Sequence, residues 1–295
     1  MGTFIGHIVP GLALTFLGLW HAVNIIRTYC RRTSDKFTVK FWYPLCGPLS
    51  KLKHMELTLI LSFSMLAIVM QVLDFPSLRF AFKLDNFEHV SMFLHLVIFA
   101  GFTLLTELTH SSDILSGVTG ILAASVFGQE LFLLHFHSAD HVGLEGHYHW
   151  LLQLIVFVSL LAAVAATTFP NSFPAALILS ISVIFQGSWF MNMGFMLWVP
   201  EFVPKGCYMQ MAKTSTDHML GAVTCGSHGA DLRAKSLVNL QFSWILGGIS
   251  AFTGSLCLKL AGTSAPGRQS TEYKQLQNKG GDVPITIEGS KQDHP

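Results

Sequence analysis

The stretch ELFLLHFHSADHVGLEGHYHW, residues Glu130–Trp150, carries five histidines (His135, His137, His141, His147, His149), three carboxylates (Glu130, Asp140, Glu145) and no Lys or Arg. GVTGILAASVFGQ precedes it and LLQLIVFVSLLAAVAATTF follows it, and both runs are apolar enough for lipid. Ionisable groups between two such runs carry a desolvation cost, so they are expected to face the bundle interior and to find partners. The pattern reads as helix, polar connection, helix, and it sets the class of the fold.

The rest of the chain has the same character. Its 295 residues are 51% hydrophobic and 12% charged, with 24 phenylalanines and mean hydropathy +0.50. A soluble domain carries roughly 25% charged residues, so this chain lacks the polar coat that an ordinary globule needs. Net charge is +1, which leaves no basic footprint for nucleic acid. The sequence contains no GxxxxGK[ST] loop, GxSxG elbow, HExxH or CxxC motif, which removes the corresponding nucleotide, hydrolase and metal readings.

A hydrocarbon core of roughly 30 Å needs about 20 apolar residues. Seven stretches meet that length, at about 4–26, 54–73, 88–108, 114–134, 149–169, 173–199 and 237–260. The expected fold is an all-α polytopic membrane bundle of seven transmembrane helices over residues 1–260, with a disordered cytosolic tail over 261–295. The first stretch lacks a basic n-region and has Trp20, His21 and Asn24 where a cleavage site needs small residues, so it reads as a retained helix. Pro10 is expected to bend it. Pro170-Asn171-Ser172 reads as a tight turn, with Pro174 in the first turn of the next helix.

Basic residues orient the bundle. Twelve of the Lys and Arg residues lie between the first two spans or from the end of the seventh span onward, against six on the opposite side. The positive-inside rule then puts the amino terminus outside the cytosol and the carboxyl terminus inside. Residues 130–150 and 200–236 become extracytoplasmic. Cys207 and Cys225 share that second loop, and a disulfide between them is expected there. Cys30, Cys46 and Cys257 are expected to stay reduced. The segment Arg31–Lys53 carries Phe41, Trp42 and Tyr43 among basic residues, and reads either as a positive-inside loop or as a segment lying on anionic lipid.

Polar groups within the spans sort into two depths. Toward the extracytoplasmic side lie His7, Glu88, His89, His95, Glu130, His135, His137 and His149; toward the cytosolic side lie His21, His54, Glu56, Glu107 and His110. Glu88, Ser91 and His95 share one helical face by their spacing. Histidine and carboxylate from different helices at one depth is how bundle metal sites are built. The candidate set is His7, Glu88, His95, Glu130, His135, Glu145 and His149, and the chemistry suits a divalent metal such as zinc. Any one of these histidines alone reads as a satisfied interface residue, and His141, His147 and His149 read equally well as a solvated turn. Gly11 and Gly18 on the first helix suit close packing within the bundle or between chains.

Four segments carry a resemblance: MGTFIGHIVPGLALTFLGLWH, QELFLLHFHSADHVGLEGHYHWLLQ, FQGSWFMNMGFMLWVP and RAKSLVNLQFSW. Together they resemble the transmembrane protein 45 family, the domain of unknown function 716 group, over Met1 to about Leu260. The last segment, with PKGC before it, is similar to the plant branch. The family's usual positions match at Gly6, His7, Glu130, His135, Glu145 and His149. The resemblance implies a multi-pass protein of the plasma membrane or a Golgi-related endomembrane, associated with defence or viral response in plants and without a settled activity.

Three readings of function follow. The first is a metal or proton site near the extracytoplasmic face. The second is a structural or trafficking protein whose polar groups tie helices together. The third is an intramembrane metal-dependent hydrolase with Glu130 as base, although no catalytic set is assigned. The lipid bilayer is the expected partner, with a second copy or another membrane protein beside it, and nucleic acid is not.

Overall fold

The computed structural model describes residues 3–31, 37–45, 52–74, 79–80, 84–136, 143–209 and 223–279. Its helices are α1 (Phe4–Arg31), α2 (Met55–Val72), α3 (Leu84–Leu108), α4 (Ser116–Phe136), α5 (Gly143–Thr168), α6 (Phe173–Trp198) and α7 (His228–Lys279). All seven are long and apolar enough to cross a membrane. The protein is therefore an all-α, multi-pass membrane bundle.

Local chemistry fixes the helix ends. Thr3 precedes α1 and its hydroxyl accepts the Gly6 N–H at 3.0 Å, the bond of an N-cap. Ser172 caps α6 the same way through Ala175, with Pro174 in the first turn. Ser227 caps α7 through Ala230, so this helix starts at His228, well before the Leu237 expected from hydrophobicity alone. Gly143, at φ +68°, lets the chain turn into α5 ahead of His149. The α3 end is unusual. His110 takes φ +55°, donates its N–H to the Glu107 carbonyl, and Ser111 donates to Thr106. This is a Schellman cap with histidine at the position glycine normally fills.

The bundle is a ring. α1 packs on α6, α6 on α5, α5 on α4, α4 on α3, and α3 on α2, while α7 lies against α1, α5 and α6. The α1–α6 contact is built on glycine. A Cβ on Gly18 would stand 2.7 Å from the Ile184 backbone nitrogen, and one on Gly187 would stand 2.5 Å from that of Thr15. Gly11 and Gly18 thus serve packing within this bundle. On α7, by contrast, a Cβ on Gly247, Gly248 or Gly254 would meet nothing within 4 Å. The core centres on Tyr148, Leu152, Trp189 and Met193, between α5 and α6.

The segment 37–45 between α1 and α2 does not spread over a lipid surface. Phe37, Trp42 and Tyr43 are buried, Phe41 packs beside Phe99 and Ala123, and Val39 donates to the Pro170 carbonyl at 2.7 Å. Its aromatics have enough interior surface to fill beneath the ring, which stabilises them more than a headgroup layer would. At the opposite end are two short antiparallel hairpins, β1 (Leu73–Asp74) with β2 (Arg79–Phe80) and β3 (Cys207–Met209) with β4 (Val223–Cys225). α7 continues as helix to Lys279, into the segment expected from its composition to be a disordered tail; residues 280–295 lie outside the described residues.

Candidate functional site

The seven candidate ligands fall into separate places. His7 of α1 and His149 of α5 come together at the hairpin end, with Glu145 one turn before His149 on α5; the three are at 6%, 7% and 4% exposure. The two imidazole centroids are 6.4 Å apart. Each ring is oriented by its own helix: His7 Nδ1 meets the Thr3 carbonyl at 2.9 Å and His149 Nδ1 meets the Glu145 carbonyl at 3.0 Å. His7 also lies 4.4 Å from the Trp198 ring. Gly194 of α6 makes room, since a Cβ there would reach 3.0 Å from Ile8 and 3.3 Å from His7. Glu145 sits in the first turn of α5, where the helix dipole favours negative charge.

The other four are apart from this trio. Glu88 and His95 ride on α3, which packs on α2 and α4. His95 Nδ1 is taken by the Ser91 carbonyl at 2.9 Å. Glu130 of α4 accepts from Gln186 Nε2 of α6 at 2.5 Å. His135, exposed at the end of α4, meets Gln153 Oε1 of α5 at 3.3 Å. Among the described residues, no three His, Cys, Asp or Glu side chains are grouped to hold a metal ion. The reason is rotational: sequence spacing sets which face of a helix a residue occupies, and not which neighbour that face meets. His137, Asp140 and His141 lie outside the described residues.

The polar residues of the membrane interior make knots between helices. Tyr148 of α5 donates to Gln241 Oε1 of α7 at 2.8 Å, and Asn192 of α6 donates to the same oxygen at 3.1 Å. His147 Nε2 meets Asn239 Oδ1 of α7 at 2.8 Å. Gln186, Asn192 and Gln241 are polar positions within otherwise apolar spans of the sequence. Sequence reasoning missed Tyr148, Gln153 and Asn239: Tyr148 lies inside the histidine-rich stretch and Gln153 just after it, while Asn239, in the seventh apolar run, carries no such signal.

A second polar centre lies at the other end. Glu56 of α2 is buried and accepts from Trp20 Nε1 at 2.9 Å, from the Tyr43 backbone N–H at 2.8 Å, and pairs with His21 Nε2 at 2.8 Å. Burial, and then the Glu56 carboxylate, push the Tyr43 phenol above its ordinary range, with the Lys40 backbone pulling weakly the other way. The Tyr43 hydroxyl itself is buried with no partner in hydrogen-bond geometry among the described residues. Nearby, Lys53 lies 3.5 Å from Glu107 and 5.9 Å from the Trp42 ring centroid.

Cys207 and Cys225 stand opposite each other in the β3–β4 ladder and are joined by a disulfide, with Cα atoms 3.8 Å apart. Cys30 and Cys257 are free thiols.

Comparison with known proteins places these features in context. The model of the Family of unknown function (DUF716) matches residues 116–258, from the start of α4 into α7. Transmembrane epididymal protein 1A of Mus musculus is 26% identical over 215 residues, covering 68% of each chain. Transmembrane epididymal protein 1 of Rattus norvegicus is 28% identical over 220 residues, again 68% of each chain. The Homo sapiens protein of that name is 28% identical over 176 residues, 54% of this chain and 63% of the relative.

Proposed function

We propose, for a chain that belongs to the DUF716 family of unknown function, a proton-responsive membrane protein whose sensor is the buried trio His7, Glu145 and His149. One observation carries this reading. Two imidazoles from different helices, each with Nδ1 tied to its own backbone, face each other inside the bundle 6.4 Å apart at their centroids. Free histidine titrates near pH ~6.5. A proton added at this place puts charge on the α1–α5 boundary, where water is scarce and Glu145 is the carboxylate one turn from His149. Acidification therefore changes how His7 and His149 sit against each other and against the α6 rings beside His7. The excess of basic residues at the opposite end favours an extracytoplasmic position for the trio, in a compartment whose acidity varies.

The test is the pH dependence of unfolding temperature for the purified protein between pH 8 and pH 5, wild type beside His7→Gln with His149→Gln. The variant should match wild type at the alkaline end and lose most of the response to acid. Identical profiles would remove the reading. Metal content measured on the same samples separates a cation site from a proton site. Equal and negligible metal in both samples leaves the proton alone.

A further inference from the structure

We infer that the protein holds the phosphate-bearing headgroup of an anionic phospholipid in a pocket at the mouth of α4, α5 and α7, a site distinct from the His7–His149 trio. The cavity is about 530 Å³, within the range of roughly 300–1,000 Å³ common for ligand sites. Its walls include His135 of α4, His147, Trp150 and Gln153 of α5, and Lys235 of α7. Gly143 and Gly146 complete the α5 side and leave its first-turn backbone uncovered by side chains.

The pocket is braced from both sides. His135 and Gln153 tie α4 to α5, Gln153 also donates to the Leu134 carbonyl at 2.9 Å, and His147 with Asn239 ties α5 to α7. The His147 and Trp150 rings stack at 13°, which makes a flat aromatic wall. Lys235 is the cation. Asp231, one turn back at 2.9 Å, takes one of the three donors of its ammonium group. Among the described lining residues there is one ammonium, two imidazoles and no carboxylate. That balance favours an anion.

Depth and surroundings select a lipid over a soluble anion. The pocket lies where α4 ends and α5 and α7 begin, so it stands at headgroup level of a bundle that crosses the bilayer. Trp150 is half-exposed there, as interfacial tryptophans are. Below it Leu154, Phe157, Leu161 and Val164 form an exposed apolar stripe along α5, at the three- and four-residue spacing of one helical face. An acyl chain laid on that stripe brings its phosphate to Lys235.

The experiment uses the full chain in phosphatidylcholine bilayers doped with spin-labelled phosphatidylglycerol or spin-labelled phosphatidylcholine, reading the motionally restricted fraction of each. Wild type should prefer phosphatidylglycerol by about fivefold, one basic side chain's share of attraction to anionic lipid. Lys235→Gln should lose that preference, and Asp231→Asn, which frees the ammonium, should keep or raise it. Because both positions are partly solvent-facing, unfolding temperatures near wild type will show that the variants are intact. Equal restriction of both lipids by wild type, or an unchanged preference in Lys235→Gln, would overturn the inference. Loss of the preference on adding inorganic phosphate at matched ionic strength would also overturn it, since the site would then serve a soluble anion.

Discussion

His21 Nε2 on α1 lies 2.8 Å from Glu56 Oε1 on α2, and this pair closes the helix ring at the seam where backbone packing is thinnest. The other carboxylate oxygen takes the Trp20 indole and the Tyr43 amide. A single buried acid thus joins α1, α2 and the segment between them. Replacing it by alanine strands three polar groups at a largely buried seam. Glu56→Ala should cost about 3–5 kcal/mol, the range for breaking a buried ionic partner. Glu56→Gln should cost less, since one acceptor oxygen survives. Thermal unfolding in detergent monitored by thiol-reactive dye or size-exclusion recovery checks both.

Glycine makes the α1–α6 contact sensitive and leaves α7 tolerant. Gly18→Val or Gly187→Val should destabilise by at least the ~1–3 kcal/mol typical of overpacking, because the obstacle in each case is backbone. Gly247→Ala meets open space and should be neutral or gain up to about 1 kcal/mol of helix propensity. The three variants compared in one melting series decide it.

At φ +55° an L-residue carries steric cost that glycine avoids, so His110→Gly should stabilise the α3–α4 corner by roughly 0.5–1 kcal/mol. A fall in unfolding temperature would show that the imidazole matters there for another reason.

Tyr43 gives an alkaline signature. Burial raises its phenol above the ordinary range, and the Glu56 charge adds to that. Below pH ~10 folded and unfolded chains both hold the proton, and the group has no effect on the slope. Above it the unfolded chain releases the proton first, so stability falls as pH rises. Tyr43→Phe should flatten that fall. At neutral pH it should be neutral or slightly stabilising, because the hydroxyl removed has no partner in hydrogen-bond geometry among the described residues. Unfolding temperatures of both proteins from pH 7 to 11 test the two claims together.

The disulfide closes a separation of 18 residues, for which the chain-entropy model gives about 3 kcal/mol. Cys207→Ser with Cys225→Ser should lose roughly that amount. Mass mapping under non-reducing conditions should find this bridge in protein from an oxidising compartment.

Helices were legible in the sequence because each crossing demands a long apolar run, and no other local signal competes with it. The ends were less so: Ser227 and Gly143 extend α7 and α5 outward into polar sequence by capping and turning, which hydrophobicity does not register. His7 and His149 share a depth that could be read from the chain, and the structure brings them together. Glu88 and His95 share that depth too, yet α3 sits two places along the ring from α5. Ring order is a property of tertiary packing, so depth alone does not say which of these side chains meet. Glu56 and His21 were both visible as inner-level groups. Their union was not, because one of the Glu56 donors is a backbone amide from segment 37–45, and no residue type announces it.

The glycine seam joins α1 to α6, and the ribosome makes them far apart in time. α6 begins at Phe173; at about 5–20 residues per second of synthesis, α1 waits in the bilayer for roughly 7–28 seconds before its main neighbour begins to exist. During that interval the Glu56 grip on Trp20 and His21 is available as soon as α2 has inserted. The carboxylate is then the first tie between helices that the unfinished chain can make on α1, formed before the glycine face has anything to pack on.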